Sequence, residues 1–187
     1  MLTEDQLREM RFYATANDYS DAERYERFAL SLKLDERGRE IGDVVASLAP
    51  ARILECASAT GLTAAGVKER LAAAGISATY HSLDIEDALL RFASARSRGD
   101  CFAQGSFEHV PFSGDFDVYI MMGAMGYRSS PDAFYAEVAR VLKPGGHFVW
   151  PLIGMETRAS DEEREAMARN GLTVVRDAGG FVVCRRQ

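Results

Sequence analysis

The stretch Arg52-Ile53-Leu54-Glu55-Cys56-Ala57-Ser58-Ala59-Thr60-Gly61 decides how the rest of the chain is read. A short apolar run ends in a carboxylate. Small residues and one glycine follow, and then Leu62, Val67 and Leu71 at helical spacing. That is the pattern of a strand, a tight turn and a helix whose N-terminus faces outward. The unpaired N–H groups and positive dipole end of such a helix attract anions. Small side chains let a ligand come close to the backbone. In open α/β sheets, ligands gather at the carboxyl ends of strands, near the point where strand order reverses. The stretch therefore predicts a ligand cradle, provided its neighbours supply the sheet.

They do. Strand patterns at Ile53 to Cys56, Ala78 to Leu83, Cys101 to Gln104, Phe116 to Met122 and His147 to Leu152 alternate with helical ones. The helices are expected at Thr60 to Ala74, at Ala88 to Ala95, after Ser130-Pro131, and from Ser160 to Asn170. Lys143-Pro144-Gly145-Gly146 reads as a helix stop, and Ser160 with Glu163 as a capping box. Leu172 to Val175 and Phe181 to Cys184 flank Asp177-Ala178-Gly179-Gly180, a hairpin signal. These patterns predict an α/β fold with a doubly wound, seven-stranded, mostly parallel sheet and a C-terminal antiparallel hairpin. Residues 3 to 48 read as helical, with capping-box spacing at Thr3 and Gln6 and at Ser20 and Glu23. Tyr13, Tyr19, Tyr25 and Phe28 lie among charges there. The segment is read either as a lid over a ligand or as an amphipathic helix with its aromatics inward. The expected organisation is one domain over 1–187, with a helical lid at 1–34 and the sheet-bearing core at 35–187.

Composition limits the partners. The chain has 187 residues, 28 acidic against 22 basic side chains and a formal charge of −6. Phosphate-backbone binding depends on clustered Lys and Arg, so a small molecule is expected rather than nucleic acid. No apolar run reaches the roughly 18 residues that span a bilayer, and no signal peptide is recognised, so no membrane partner is expected. Three cysteines without metal-like spacing suggest reduced thiols, a cytoplasmic location and no metal site. Cys56, Cys101 and Cys184 read as small core residues. Oligomeric state is left open between monomer and homodimer.

Four pieces in order resemble the class I S-adenosylmethionine-dependent methyltransferases. They are Ile53-Leu54-Glu55 through Thr60-Gly61; Leu83-Asp84-Ile85; Gly105-Ser106-Phe107 with Phe116-Asp117-Val118; and Ala139 through Gly146. The resemblance implies a Rossmann-like core, S-adenosylmethionine as cofactor and S-adenosylhomocysteine as product. It also implies that Ala57, Ser58 and Gly61 form the turn that takes the cofactor's carboxylate. By the same analogy Glu55 would hold the amine and Asp84 the ribose diol, although Asp84 also reads as the next helix's cap. Ile85 and Phe107 would flank adenine, Ser106 would accept from it, and Met121 and Met122 would lie beside the methionyl portion. The acceptor pocket would fall near Tyr127, Tyr19, Tyr13 and Trp150, with Tyr127 and Tyr19 as candidate catalytic residues. Arg128 would attract an acidic acceptor or stay solvated. Two turn glycines of the family are Ala57 and Ala59 here, and Ser106 stands where the family often has an acid. Those departures keep two other readings in play: a cyclase or lyase releasing methylthioadenosine, and a non-catalytic relative. The leading expectation is methyl transfer to O, N or C of a small molecule.

Overall fold

A computed structural model describes residues 3–16, 18–152 and 159–187, with the side chains of Gln6, Leu7, Met10, Arg11, Ala14 and Thr15 outside the description. The predicted Thr3–Gln6 box needs the Gln6 side chain and so lies outside the described side chains. Three helices lead the chain: α1 (Glu4–Ala16), α2 (Ala22–Ser31) and α3 (Leu34–Ala46). Alternation follows: β1 (Arg52–Cys56), α4 (Leu62–Ala73), β2 (Thr79–Asp84), α5 (Asp87–Ala95), β3 (Cys101–Gln104) and β4 (Phe116–Met121). A 3-10 turn at Met125–Tyr127 precedes α6 (Pro131–Val141), β5 (Leu142–Pro151), α7 (Asp161–Arg169), β6 (Leu172–Ala178) and β7 (Phe181–Arg186). The strands form one sheet in the order β3-β2-β1-β4-β5-β7-β6, parallel as far as β5 and antiparallel through β7 and β6. Strand order reverses between β1 and β4, so their carboxyl ends border the crevice where ligands bind in such sheets.

The period of two along each strand divides the core. Leu54, Tyr119, Phe148 and Cys184 face one side, in a cluster with Phe134, Tyr135 and Met167 from α6 and α7. Ile53, Val118, Ile120 and Val149 face the other side, against Ile41 and Val45 of α3 and Val67 of α4. Helices α3 and α4 meet almost backbone to backbone. A Cβ on Gly66 would stand 2.4 Å from the Gly38 carbonyl carbon, and one on Gly38 would stand 2.9 Å from the Leu62 carbonyl oxygen. This contact sets α3 against the first turn of α4, the turn that opens onto the crevice.

Some boundaries differ from the sequence reading for local reasons. Asp21, not Ser20, caps α2 by accepting from the Arg24 N–H at 2.9 Å, because Ser20 is held by Asp18. Helix α6 ends at Val141, directly before Lys143 to Gly146 as the stop signal predicts, but β5 begins earlier than His147, since Leu142 pairs with Phe116 and a register shift absorbs the intervening residues. The hairpin turn has Gly179 and Gly180 at φ 65° and 76°, the left-handed pair that a two-residue loop needs. Cys56 and Cys184 are buried, but Cys101 is exposed at the start of the outer strand. Among the described residues no helix is long and apolar enough to cross a membrane.

The α3–α4 contact makes a direct prediction. Gly66→Ala should destabilise the protein by about 1–3 kcal/mol, because the added methyl meets backbone that cannot turn away. A urea midpoint within error of the wild type would contradict this packing.

Candidate functional site

A cavity of about 330 Å³ opens where the segments after β1, β2, β3 and β4 converge, and Tyr19, Tyr25 and Ala29 of the N-terminal segment also line it. Residues 57–60 of the turn 57–61 line it. Ala57, Ala59 and Gly61 have φ of 55°, 47° and 74°. Left-handed backbone costs a non-glycine residue about 1–2 kcal/mol, so the two alanines store strain that surrounding bonds must hold. Those bonds are present. Ser58 N–H donates to Leu83 O at 3.1 Å, and Gly61 N–H to Ser58 O at 2.9 Å. Ala59 N–H donates to Asp84 Oδ2 at 2.8 Å.

Asp84 is 7% exposed, and its Oδ1 accepts from Glu86 N–H at 3.0 Å. Burial raises its pKa, while the N–H donors pull it back. The cap of α5 is Glu86 rather than Asp84, which leaves Asp84 between the strained turn and the cavity. Gly61 offers no side chain to cap α4, so the helix's first N–H groups await outside acceptors. Leu62 and Thr63 line the cavity at that point. Ser58 Oγ is buried, also lines the cavity, and has no hydrogen-bond partner among the described residues.

Of the residues singled out in the sequence, Tyr19, Ala57, Ser58, Asp84, Ile85, Ser106, Phe107, Met122 and Tyr127 all line this cavity. Ile85 is 61% exposed at its rim. Phe107 is steadied edge-on by Phe134, with centroids 6.0 Å apart. Ser106 Oγ accepts from the Glu108 N–H at 3.1 Å. The Tyr19 and Tyr127 hydroxyls meet at 3.4 Å. Burial raises the Tyr19 pKa, and the bond to Tyr127 adds to the rise.

Four of the residues expected at the site do not line this cavity. Met121 points into the opposite core layer and is fully buried, because neighbouring strand residues face opposite sides; Met122 alone reaches the cavity. Tyr13 lies behind Tyr19, stacked on it at 5.0 Å and on Phe28 at 5.3 Å. Glu55 is 1% exposed beneath the turn, where Tyr80 Oη donates to it at 2.9 Å and Thr63 also bonds to it. Burial pushes its pKa up to about 8, and its bond to Thr63 ties it to the start of α4, outside the cavity lining. Gly61 is bare because a Cβ there would stand 2.9 Å from Arg98 Cβ, so it packs on protein instead of lining the cavity.

Arg128 and Trp150 border a separate cavity. Arg128 donates to Met125 O at 2.7 Å and ion-pairs with Glu163, which also accepts from the Tyr135 hydroxyl. Arg128 is therefore an internal tie and not a solvated charge.

A family description reading "Methyltransferase domain" matches residues 54–150, just over half of the chain and all of the cradle. The chain belongs to the methyltransferase domain family. A curated relative, a probable phthiotriol/phenolphthiotriol dimycocerosates methyltransferase 2 of Mycobacterium ulcerans, is 33% identical over 130 residues. The match covers 68% of this chain and 48% of that relative, so the chain spans about half the relative's length. Among solved structures, a TehB-like methyltransferase of Corynebacterium glutamicum superposes with TM-score 0.72 at 17% identity, over 91% of this chain and all of the other. The magnesium protoporphyrin IX methyltransferase of Synechocystis, solved with bound S-adenosylmethionine, superposes with TM-score 0.67 at 9% identity, over 100% of this chain and 99% of the other. At such identities the two superpositions speak for the fold alone.

In this methyltransferase domain the sequence reading left out Tyr25, Leu34, Leu62, Thr63 and Leu89 among the cavity residues. Tyr25 stood in the aromatic run, and the two residues after Gly61 could have been inferred from the helix start. Leu34 and Leu89 carry no local signal, because an apolar residue on a helix looks alike whether it faces a core or a cavity.

Glu55 makes the pH dependence of stability testable. Its folded pKa of about 8 lies above the ordinary 4.5. Between those values the folded chain keeps a proton that the unfolded chain releases, so stability falls as pH rises, by at most about 1.4 kcal/mol per pH unit. Below the lower value the loss vanishes. Glu55→Gln should flatten the fall between about pH 5 and pH 8 in urea unfolding; the same slope in both proteins would contradict a buried neutral Glu55.

Proposed function

We propose that this chain is an S-adenosylmethionine-dependent methyltransferase acting on O, N or C of a small-molecule acceptor. The observation that carries the reading is the braced left-handed turn with Asp84, the unpartnered Ser58 Oγ and the uncapped start of α4 around one cavity. These groups fit the proposed cofactor's polar parts. The N–H groups at the start of α4 and Ser58 Oγ suit a carboxylate. The lone pairs left on Asp84 can accept from a ribose diol. Ile85 and Phe107 present apolar faces for adenine, and Met122 a soft surface for the methionyl chain. When bound, the cofactor supplies an electrophilic methyl on a sulfonium.

The chain's part is to hold an acceptor in line and to keep water out. In this reading the acceptor is held by Tyr19 and Tyr127, and the support is that both line the cavity with their hydroxyls 3.4 Å apart. Either can orient an acceptor's polar atom, and their ring faces favour a cation. Burial and the Tyr127 bond raise the Tyr19 pKa further, so its hydroxyl is protonated at neutral pH and can donate or accept a hydrogen bond. The cavity volume lies within the range of small-molecule pockets, which supports a small-molecule ligand here. The curated relative is named for phthiotriol and phenolphthiotriol dimycocerosates, organic molecules, which supports an organic acceptor.

The test is mass analysis of the purified protein incubated with S-adenosylmethionine, alone and with panels of hydroxylated, amine and carbon-acid acceptors. Acceptor-dependent S-adenosylhomocysteine is expected. Methylthioadenosine formed without any acceptor would overturn methyl transfer in favour of a cyclase or lyase. In parallel, Asp84→Asn should weaken S-adenosylhomocysteine binding by about 1.5–3 kcal/mol, the range for a hydrogen bond to a charged group. Unchanged affinity would remove Asp84 from the site.

A further inference from the structure

We propose that Arg98 is a positioning residue that couples the helix over the cavity to the cofactor turn; this rests on the cofactor reading above. Arg98 follows α5 in a loop remote from both partners in sequence. Its Nη1 donates to Thr60 O at 2.9 Å, inside the strained turn. Its Nη2 donates to Glu26 Oε1 at 2.7 Å, on α2. The neighbours of Glu26 on that helix, Tyr25 and Ala29, line the cavity.

Both charged side chains are largely buried, at 17% and 12% exposure. One guanidinium thus grips a turn carbonyl and a helix carboxylate together, which its planar fork suits and a single ammonium does not. The packing points the same way. Of the three left-handed positions in the turn, only the one against Arg98 is glycine. A side chain at Gly61 would stand 2.9 Å from Arg98 Cβ and 3.1 Å from Ala93 Cβ. Asp84 holds the turn at the Ala59 N–H and Arg98 holds it at the Thr60 carbonyl, so strain at Ala57 and Ala59 is resisted from both sides.

The arrangement is asymmetric. Glu26 Oε2 is buried with no hydrogen-bond partner among the described residues. Loss of Arg98 leaves a buried carboxylate without its cation, which drives α2 toward water. Loss of the Glu26 charge leaves Arg98 still bonded to Thr60 O. Placement of α2 and the shape of the turn therefore bias each other, and a ligand on the turn favours the seated helix.

The experiment is calorimetric titration with S-adenosylhomocysteine of the wild type, R98Q, R98K, E26Q and the R98Q/E26Q double variant, with thermal midpoints measured alongside. R164Q serves as the control, because it breaks an ion pair between α7 and β6 and lines neither cavity. R98Q should bind about 10-fold or more weakly and E26Q a few-fold more weakly, within the usual range of coupling between sites. The double variant should bind no more weakly than R98Q, since both substitutions break one joint. R98K should recover most of the thermal midpoint and little of the affinity, and R164Q should lower the midpoint alone. Additive losses, R98K restoring affinity together with midpoint, or R98Q binding like the wild type would overturn the coupling. R98K and E26Q decide the matter if R98Q does not fold. No binding by the wild type would instead overturn the cofactor reading, and this coupling with it.

Discussion

The structure depends on a turn that its own residues resist. Three of the five positions from Ala57 to Gly61 are left-handed, and two of them are alanine. Each alanine gives up about 1–2 kcal/mol to be there. Such a conformation survives where its surroundings fix it from several directions. The fixing groups come from distant parts of the chain: Leu83 and Asp84 at the end of β2, and Arg98 beyond α5. Asp84 thus has two roles. It holds the turn in shape, and it offers its remaining lone pairs to the cavity. The residue proposed to bind a ligand also keeps the ligand's cradle from relaxing.

The buried carboxylates beneath and beside the turn behave differently. Glu55 has no cation among its bonded partners and is pushed toward the neutral form, bonded to Tyr80 and Thr63. Glu26 is paired with Arg98, whose other arm holds the turn. A neutral brace below and an ionic tie above together set where the first turn of α4 points. The α3 backbone, packed against that same turn through Gly38, closes the third side. Function at this site therefore follows from packing of the whole N-terminal half, and not from the turn alone.

The fold was legible because its signals are local and periodic. A strand ending in small residues, a helix beginning past Gly61, and the double glycine of the final hairpin each carry their own geometry. The order of ligand-facing segments was legible in the same way, since each follows a strand. Pairings between distant segments were not legible. Nothing in the run Phe116 to Met122 says which methionine faces the cavity; that depends on which strand face meets α6 and which meets α4. Glu55 looked like a ligand because its burial under Tyr80 is a tertiary fact. Tyr13 and Tyr19 are equally plausible by spacing, and only the stacking of one behind the other separates them. Arg98 and Glu26 lie 72 positions apart and belong to no motif. Lys143 to Gly146 was legible as the end of α6, but not as part of the next strand, because only the register shift against β4 lets β5 carry its proline and glycines.

The most direct test of the turn as a cofactor cradle is the amide spectrum of the isotopically labelled protein, titrated with S-adenosylhomocysteine. The largest shifts should fall on Ser58 to Thr63, on Asp84 and Ile85, and on Ser106 and Phe107, and should saturate together as one site. Saturable shifts centred elsewhere, or none at millimolar ligand, would contradict the assignment of this turn as the cradle.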